Sequence, residues 1–129
     1  METIKFIGYI QSPLKDLKDC PLQEDEGAPE VIIHIEKEFL PATSGLAAGA
    51  KIILLTWLHQ ADRTIMITHP RNNPNAPTRG IFATRSPDRP NPIGLHETEI
   101  LEITADGKIR VSNLEVLDGT PLIDIKPVI

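Results

Sequence analysis

Two arginines, Arg85 and Arg89, lie four residues apart in a segment crowded with proline, GIFATRSPDRPNPIGL (80–95). Each of the three prolines in this segment keeps the residue before it out of the helical region, so the chain follows an extended path with few backbone donors. A rigid backbone that presents guanidinium forks suits recognition of a carboxylate or a phosphate. The alternative is a structural crossover whose arginines face water, and the residues alone leave both possibilities open.

A second unusual segment, LEVLDGTPLIDIKP (114–127), carries a strong turn signal at Asp118-Gly119-Thr120-Pro121. The backbone amides of such a turn could contact the edge of an adenine ring. Turn chemistry by itself favours a purely structural role for these four residues.

The sequence contains none of the standard catalytic templates, namely GxSxG, HExxH, a Walker loop, or GxGxxG after a strand. The absence of GxGxxG removes the usual doubly wound route to a nucleotide cofactor. The single cysteine, Cys20, excludes an internal disulfide and a cysteine-rich zinc site, and its acidic neighbours favour an incidental role. We expect no metal site, because the histidines are scattered: His34, His59, His69 and His96.

Charge is distributed unevenly along the 129 residues. The formal net charge is −5, yet residues 61–90 hold five arginines against two aspartates, a local balance of +3 that leaves −8 for the remainder. An arginine-bearing segment in an acidic protein suits a phosphate or carboxylate ligand, although a solvated surface loop can have the same composition. No apolar run approaches the ~20 residues needed to cross a bilayer, and we expect one cytoplasmic domain, 1–129.

Short apolar or β-branched runs separated by prolines must position these segments. Seven or eight strands are predicted, within residues 3–10, 31–35, 51–57, 64–68, 81–84, 95–103, 109–116 and 122–125. At most one short helix is expected, within 40–50, with Thr43 or Ser44 as its cap, and long proline-rich loops cover 11–30 and 69–80. Twelve prolines favour a mostly all-β fold, a closed or rolled barrel, over a parallel sheet covered by helices.

The runs ATRSPDRPNPIG (83–94) and DGTPLIDIKP (118–127) closely resemble the signature of the TrmO/TsaA-like tRNA methyltransferase family. The opening IGYIQSP (7–13) and the pair His59-Gln60 are similar to two further motifs of that family, so the resemblance spans nearly the whole chain. It implies a single-sheet β-barrel that binds S-adenosylmethionine, and a homodimer with the cofactor near the subunit interface. The implied activity is N6-methylation of threonylcarbamoyl-adenosine next to the anticodon of tRNA.

The same resemblance assigns roles by position. Arg85 is expected to pair with the methionine carboxylate of the cofactor. Further cofactor contacts are implied at Gln23, Glu24, His59, Gln60, Leu95, Leu117, Asp118, Gly119 and Thr120. The candidates to meet tRNA phosphates or the threonyl carboxylate are Arg79, Arg89 and Lys126. Asp124 or His59 is the candidate to assist loss of the N6 proton.

The chain departs from the family pattern at Leu22, where arginine is common, and at Val128, where tyrosine is usual. We also expect it to lack the C-terminal domain of longer members. These differences keep a second hypothesis open, a module that binds S-adenosylmethionine without methylating tRNA. The two hypotheses differ in surface charge, because an enzyme that acts on tRNA needs a continuous basic face around the cofactor.

Overall fold

The computed structural model describes residues 2–14, 30–69, 73–112 and 114–129. Eight strands are present in these ranges: β1 (Gly8–Gln11), β2 (Val31–Ile35), β3 (Lys51–Trp57), β4 (Ile67–Thr68), β5 (Arg79–Gly80), β6 (Ile93–Ile103), β7 (Lys108–Val111) and β8 (Thr120–Pro127). Two 3₁₀ helices accompany them, Lys37–Thr43 and Ile81–Ala83.

Six of these strands close into an antiparallel barrel in the order β1-β2-β7-β6-β3-β8, and β4 and β5 form a separate two-stranded sheet. Closure pairs both edges of every strand in the barrel, which removes the exposed edges that an open sheet would present. The expected mostly β fold and its barrel are therefore confirmed.

Alternation of side chains across each strand fills the barrel with branched aliphatic residues. In β3 the buried positions are Ile52, Leu54 and Thr56, whereas the residues between them are partly exposed. β-branched side chains suit such a buried, pleated surface, which explains why the apolar runs predict strands here. The resulting core cluster consists of Ile10, Val31, Ile33, Ile35, Ile52, Leu54, Ile100, Ile109, Val111, Leu114, Val116 and Leu122.

β6 joins the two halves of the barrel. Its residues 93–99 pair with β3, and its C-terminal part pairs with β7, with a register shift between Ile100 and Glu102. A second shift lies in the β3–β8 pair, between Leu55 and Thr56. Irregularities of this kind bend a strand and increase its twist, so they help six strands to close on themselves.

Because neighbouring strands are antiparallel, β1, β3 and β7 end at the same end of the barrel, where β2, β6 and β8 begin. We call this end the site end, and we call the described residues within 58–92 the arm. The opposite end carries residues 36–50 and a tight turn at Gly107, which adopts a φ of 91°.

Three predicted strands are longer than the observed ones. The prediction over 3–10 is wrong for its first part, because β1 begins at Gly8 and Ile4 is 49% exposed before it. The run 64–68 contributes only β4, and the run 109–116 contributes only β7. In each case apolar residues extend from the strand into the neighbouring connection, so the sequence pattern alone does not show where the strand begins or ends.

Two helical segments differ from the prediction. The strand predicted over 81–84 is wrong, because Ile81–Ala83 forms a 3₁₀ turn in which Thr84 N donates to Ile81 O at 3.1 Å. The helix expected within 40–50 lies earlier, at Lys37–Thr43. The hydroxyl of Thr43 donates to Leu40 O at 2.7 Å, so Thr43 closes the end of the helix and does not cap its start.

Candidate binding site

The arm returns to the barrel through bonds between its first and last residues. Leu58 N donates to Pro92 O at 2.8 Å, and Asp62 N donates to Asp88 Oδ1 at 2.8 Å. The carboxylate of Asp62 accepts from the hydroxyl and the amide of Thr64, and these bonds hold the pKa of Asp62 below its ordinary value. Polar bonds around an ionised carboxylate therefore fix the base of the arm.

Arg63 connects three parts of this base. Its Nε donates to Pro90 O at 2.7 Å, and its Nη2 donates to Asn91 Oδ1 at 3.4 Å. Its guanidinium lies 5.2 Å from the ring centroid of Trp57, a cation–π distance. Because Trp57 is the last residue of β3, Arg63 joins the barrel to the proline segment.

Arg89 holds the turn that precedes it in the chain. Its Nη1 donates to Thr84 O at 3.1 Å and to Ser86 O at 2.9 Å, and its Nη2 donates to Ile81 O at 3.3 Å. Since proline has no N–H, the guanidinium supplies donors that a backbone ladder would supply elsewhere. These bonds give the Arg89 side chain a structural role. Its contact with a substrate stays a prediction.

Arg85 is exposed on the same turn and points toward β6. Its Nη2 lies 3.5 Å from Leu95 O, so two of the predicted cofactor residues lie together at the start of this strand. Leu95 is 50% exposed and pairs with Leu55 of β3. A guanidinium beside apolar surface suits a ligand that combines a carboxylate with an apolar or aromatic part.

A row of residues on neighbouring strands extends from this point. Leu95 lies opposite Leu55, and Leu55 lies opposite Asp124, so β6, β3 and β8 each contribute one residue to the row. Asp124 Oδ2 and Lys126 Nζ form an ion pair at 3.0 Å, and both side chains are partly exposed. The structure thus places the predicted proton acceptor Asp124 two strands away from Leu95.

His59 and Gln60 are exposed in the turn that follows β3. Ala61 N donates to Leu58 O at 3.0 Å and closes this turn. Both side chains lie at the site end, the end at which Arg85 meets β6. Arg79 is also exposed, in β5 of the arm, where it pairs with Thr68 of β4.

The turn at residues 117–120 reaches the site end from β7 and is bound to the end of β1. Asp118 Oδ1 accepts from Ser12 N at 2.9 Å, and the amides of Asp118 and Gly119 donate to carbonyl oxygens at and just beyond the end of β1, at 2.8 Å each. The amide of Thr120 also has an acceptor within the turn, at 3.2 Å. All three amides therefore donate to acceptors within the protein. A ligand at this turn would have to contact the carbonyl oxygens of the turn or the exposed Gly119.

Beneath the start of β6 lies a buried polar contact that sequence reasoning misses. Thr56 Oγ1 and His96 Nε2 are 3.0 Å apart inside the barrel. A Cβ on Gly94 would lie 2.5 Å from that oxygen and 2.7 Å from that nitrogen, so only glycine leaves room for the contact. The period of two along β6, which places Gly94 and His96 on the inner face, is the signal that could have found it.

Exposed apolar side chains on the arm are a second feature that sequence reasoning misses. Met66, Ile67 and Phe82 are 60%, 65% and 80% exposed. Ile81 N donates to Met66 O at 2.8 Å, which holds the two parts of the arm that carry them side by side. Clustered exposed apolar residues are typical of contact surfaces, and their presence in a proline-rich loop is the available sequence signal.

Two of the predicted cofactor contacts, Gln23 and Glu24, lie outside the described residues. So do Cys20 and Arg71, which is one of the five arginines in residues 61–90. Within the described ranges, no group of three or more His, Cys, Asp or Glu side chains could hold a metal ion. No helix in the part of the chain that the structure describes is long and apolar enough to cross a bilayer.

Residues 9–129 match a protein family described as the tRNA-methyltransferase O N-terminal domain. A probable S-adenosyl-L-methionine-binding protein of Methanothermobacter thermautotrophicus is 44% identical over 125 residues, which cover 96% of this chain and 88% of that protein. An S-adenosyl-L-methionine-binding protein of Archaeoglobus fulgidus is 38% identical over 123 residues, with coverage of 95% and 86%.

Solved structures give the same match. The crystal structure of TrmO from P. aeruginosa superposes with a TM-score of 0.77 at 31% sequence identity. The superposition covers 100% of this chain and 55% of the crystallised one. The chain therefore spans little more than half of that protein.

Proposed function

This chain belongs to the tRNA-methyltransferase O N-terminal domain family, and from that premise we propose that it binds S-adenosylmethionine at the site end and methylates tRNA. The proposed reaction transfers a methyl group to N6 of threonylcarbamoyl-adenosine next to the anticodon. One observation supports the site more than any other. Arg85 lies against the carbonyl of Leu95, beside the apolar pair of Leu95 and Leu55.

The residues at this site fit the chemical parts of S-adenosylmethionine. The methionine carboxylate suits the exposed guanidinium of Arg85, and a hydrogen bond to a charged group contributes about 1.5–3 kcal/mol. The adenosine suits the half-exposed side chain of Leu95, with the polar His59 and Gln60 at the same end of the barrel. Gln23, Glu24 and the turn at residues 117–120 are proposed to complete the contacts.

When bound, the cofactor supplies a methyl group on a sulfonium. Positioning provides most of the catalysis in such a displacement, so the protein has to hold both reactants and receive one proton. Asp124 is one candidate acceptor, because Ile125 N at 2.9 Å and Lys126 Nζ at 3.0 Å fix the orientation of its carboxylate. His59, an exposed imidazole at the site end, is the other candidate.

We propose that tRNA contacts the arm and the outer face of β8, where Lys126 lies opposite Ile53 of β3, toward the end of the barrel away from the site end. Arg79 in the arm and Lys126 in β8 are exposed cations. Arg89, also in the arm, is half-buried. Arg63 and Arg89 donate to carbonyl oxygens inside the arm. These two residues therefore contribute less to a phosphate-binding surface than the charge of residues 61–90 implies.

We also propose a cytoplasmic homodimer with the cofactor near the shared surface. The exposed Met66, Ile67 and Phe82 favour this assembly, because a second copy would cover apolar area on the arm. Light scattering at micromolar concentration is expected to show a dimer. A monomer that binds the cofactor normally would contradict the shared site.

The reaction is tested with purified protein, methyl-labelled S-adenosylmethionine and tRNA that carries threonylcarbamoyl-adenosine. Mass spectrometry of the nucleosides is expected to find the label on N6 of the modified adenosine. The same tRNA without the threonylcarbamoyl group is the control and should remain unlabelled. Cofactor binding without label in any tRNA nucleoside would rule out the enzyme.

A module that binds S-adenosylmethionine without acting on tRNA is the second candidate. The net charge of −5 favours it, and so does the engagement of Arg63 and Arg89 within the arm. Salt dependence separates the two candidates, because tRNA binding by an enzyme weakens steeply as salt rises. A binding module would show cofactor affinity and no salt-dependent affinity for tRNA.

A further inference from the structure

We infer that Arg63 is a positioning residue of the proposed cofactor site, which holds the end of the arm against β3 so that Arg85 stands at the start of β6. The inference rests on the proposed function, since it concerns the affinity of that site for S-adenosylmethionine. Arg63 acts through the position of Arg85 and makes no contact with the cofactor. We call the group formed by Trp57, Arg63, Pro90 and Asn91 the clasp.

The last residues of the arm have few backbone donors with which to bind the barrel. Pro90 and Pro92 have no N–H, and Asn91 between them offers its carbonyl to Ile93 N at 2.8 Å. Pro90 O instead takes its donor from a side chain, Arg63 Nε at 2.7 Å. Two backbone amides also bind this segment, Leu58 N to Pro92 O and Asp62 N to Asp88 Oδ1, each at 2.8 Å. Between these two bonds, the guanidinium of Arg63 supplies the contacts to Pro90 and Asn91 that a ladder would supply elsewhere.

The clasp has a defined geometry. Arg63 lies over Trp57 at 5.2 Å while its fork reaches Pro90 with one nitrogen and Asn91 with another. Lysine would keep the positive charge but could not reproduce the planar fork. Because Trp57 pairs with Ile93, the clasp joins β3 to the segment that leads into β6.

Arg85 depends on the clasp because its own attachment is slight. It is exposed, and its 3.5 Å approach to Leu95 O is at the outer limit of a hydrogen bond. The turn between Arg85 and Pro90 is held as a unit by the three carbonyl contacts of Arg89. Loss of Arg63 should displace this unit, and Arg85 with it, while the barrel core stays intact.

The test measures S-adenosylmethionine affinity by calorimetry in Arg63→Gln, Arg63→Lys, Arg85→Ala and the double variant Arg63→Gln/Arg85→Ala. Arg63→Gln is expected to weaken binding about tenfold, a large part of the loss in Arg85→Ala. Arg63→Lys should weaken it similarly, because the fork is lost. The double variant should bind about as weakly as Arg85→Ala, since both changes act through one contact. Arg110→Gln, which removes a half-buried arginine of β7 that is paired with Glu30 and Glu102, is the matched control and should keep the parent affinity.

Trp57 gives a readout that needs no ligand, because it is the single tryptophan of the chain. Arg63→Gln removes the cation above its ring, so the fluorescence of Trp57 is expected to change. Arg110→Gln should leave that fluorescence unaltered. Thermal unfolding of each variant shows whether the barrel is retained.

Parent affinity in Arg63→Gln or in Arg63→Lys would overturn the positioning role. Additive losses in the double variant would overturn it as well, because they would mean that Arg63 acts independently of Arg85. If the parent protein binds no S-adenosylmethionine, the proposed function fails and the fluorescence of Trp57 decides about the clasp. Unchanged fluorescence in Arg63→Gln then refutes the clasp, and a change supports it.

Discussion

The barrel and the arm are held together by different interactions. Twelve buried aliphatic side chains form one cluster inside the barrel, and antiparallel pairing connects all six strands. In the arm, Ile81 and Pro92 are the buried residues among those that the structure describes. The arm is fixed instead by bonds from side chains to backbone, above all those of Arg63 and Arg89.

This difference separates the stability of the molecule from its proposed function. A packed core and a closed sheet make unfolding of the barrel cooperative, whereas exposed polar bonds open with a smaller free energy. Arg79, Arg85 and Arg89 lie in the arm, so changes there can alter binding without unfolding the barrel. The following substitutions and the acid titration test whether the stability of the barrel and binding by the arm can be changed independently.

The largest effect is expected from a leucine in the core. Leu54→Ala removes a fully buried side chain from β3 and should lower the free energy of unfolding by about 2–5 kcal/mol. Leu95→Ala, a change of the same size on the neighbouring strand, concerns a side chain that is 50% exposed and should cost less than about 1 kcal/mol. Urea denaturation measures both, and equal losses would show that the two faces of the sheet do not differ.

Glycine substitution tests the junction between the barrel and the arm. In Gly94→Ala the new methyl group would meet Thr56 Oγ1 at 2.5 Å and His96 Nε2 at 2.7 Å, which should destabilise the protein by about 1–3 kcal/mol. Gly80→Ala in the arm is the matched control, because nothing lies within 4 Å of its Cβ and its φ of −60° suits any residue. A thermal midpoint for Gly94→Ala as high as that of Gly80→Ala would disprove the crowding.

Arg79→Ala tests whether the arm carries the tRNA-binding surface. Loss of one phosphate contact should lower tRNA affinity and reduce the slope of log affinity against log salt by about 0.7–0.9. Lys108→Ala removes an exposed cation from the opposite end of the barrel and should leave the slope unchanged. The surface is misplaced if filter-binding titrations give the same slope for Arg79→Ala and for the parent protein.

The smallest effect is expected from acid. The pKa of Asp62 is lowered by the hydroxyl and the amide of Thr64, so the ionised carboxylate stabilises the folded arm above the ordinary pKa of aspartate. That contribution is lost as the pH falls through the lowered value, below about pH 4. Fluorescence of Trp57 should follow this loosening of the arm. Asp62→Asn should flatten the acid titration, and superimposable titrations of the two proteins would contradict the role of Asp62.

The sequence predicts the barrel well where an apolar run and a strand coincide. The runs 31–35 and 51–57 match β2 and β3 residue for residue, because each is a short, bounded run of apolar and β-branched residues, which favours a strand over a helix. The turn at Asp118-Gly119 is also predicted, and Gly119 adopts a φ of 82° there. The run 81–84 misleads because an apolar triplet beside prolines can form a 3₁₀ turn as readily as a strand.

The roles of the arginines in the arm could not be read from the sequence. Arg63, Arg85 and Arg89 look alike in a count of charge, and each could face water or a ligand. Arg63 meets Pro90 across 27 positions of the chain, a return path that no local pattern specifies. The structure distinguishes them by their contacts, and it leaves Arg85 as the exposed guanidinium beside β6.

The central claim, that Arg85 at the start of β6 binds the carboxylate of S-adenosylmethionine, is tested most directly by calorimetric titration of the parent protein and Arg85→Ala. We expect saturable binding by the parent protein and a loss of about 1.5–3 kcal/mol in the variant, since one hydrogen bond to a charged group is removed. The thermal midpoint of the free proteins should be the same, because the side chain is exposed and outside the core. Equal affinities in the two proteins, or no binding by the parent protein, would contradict the claim.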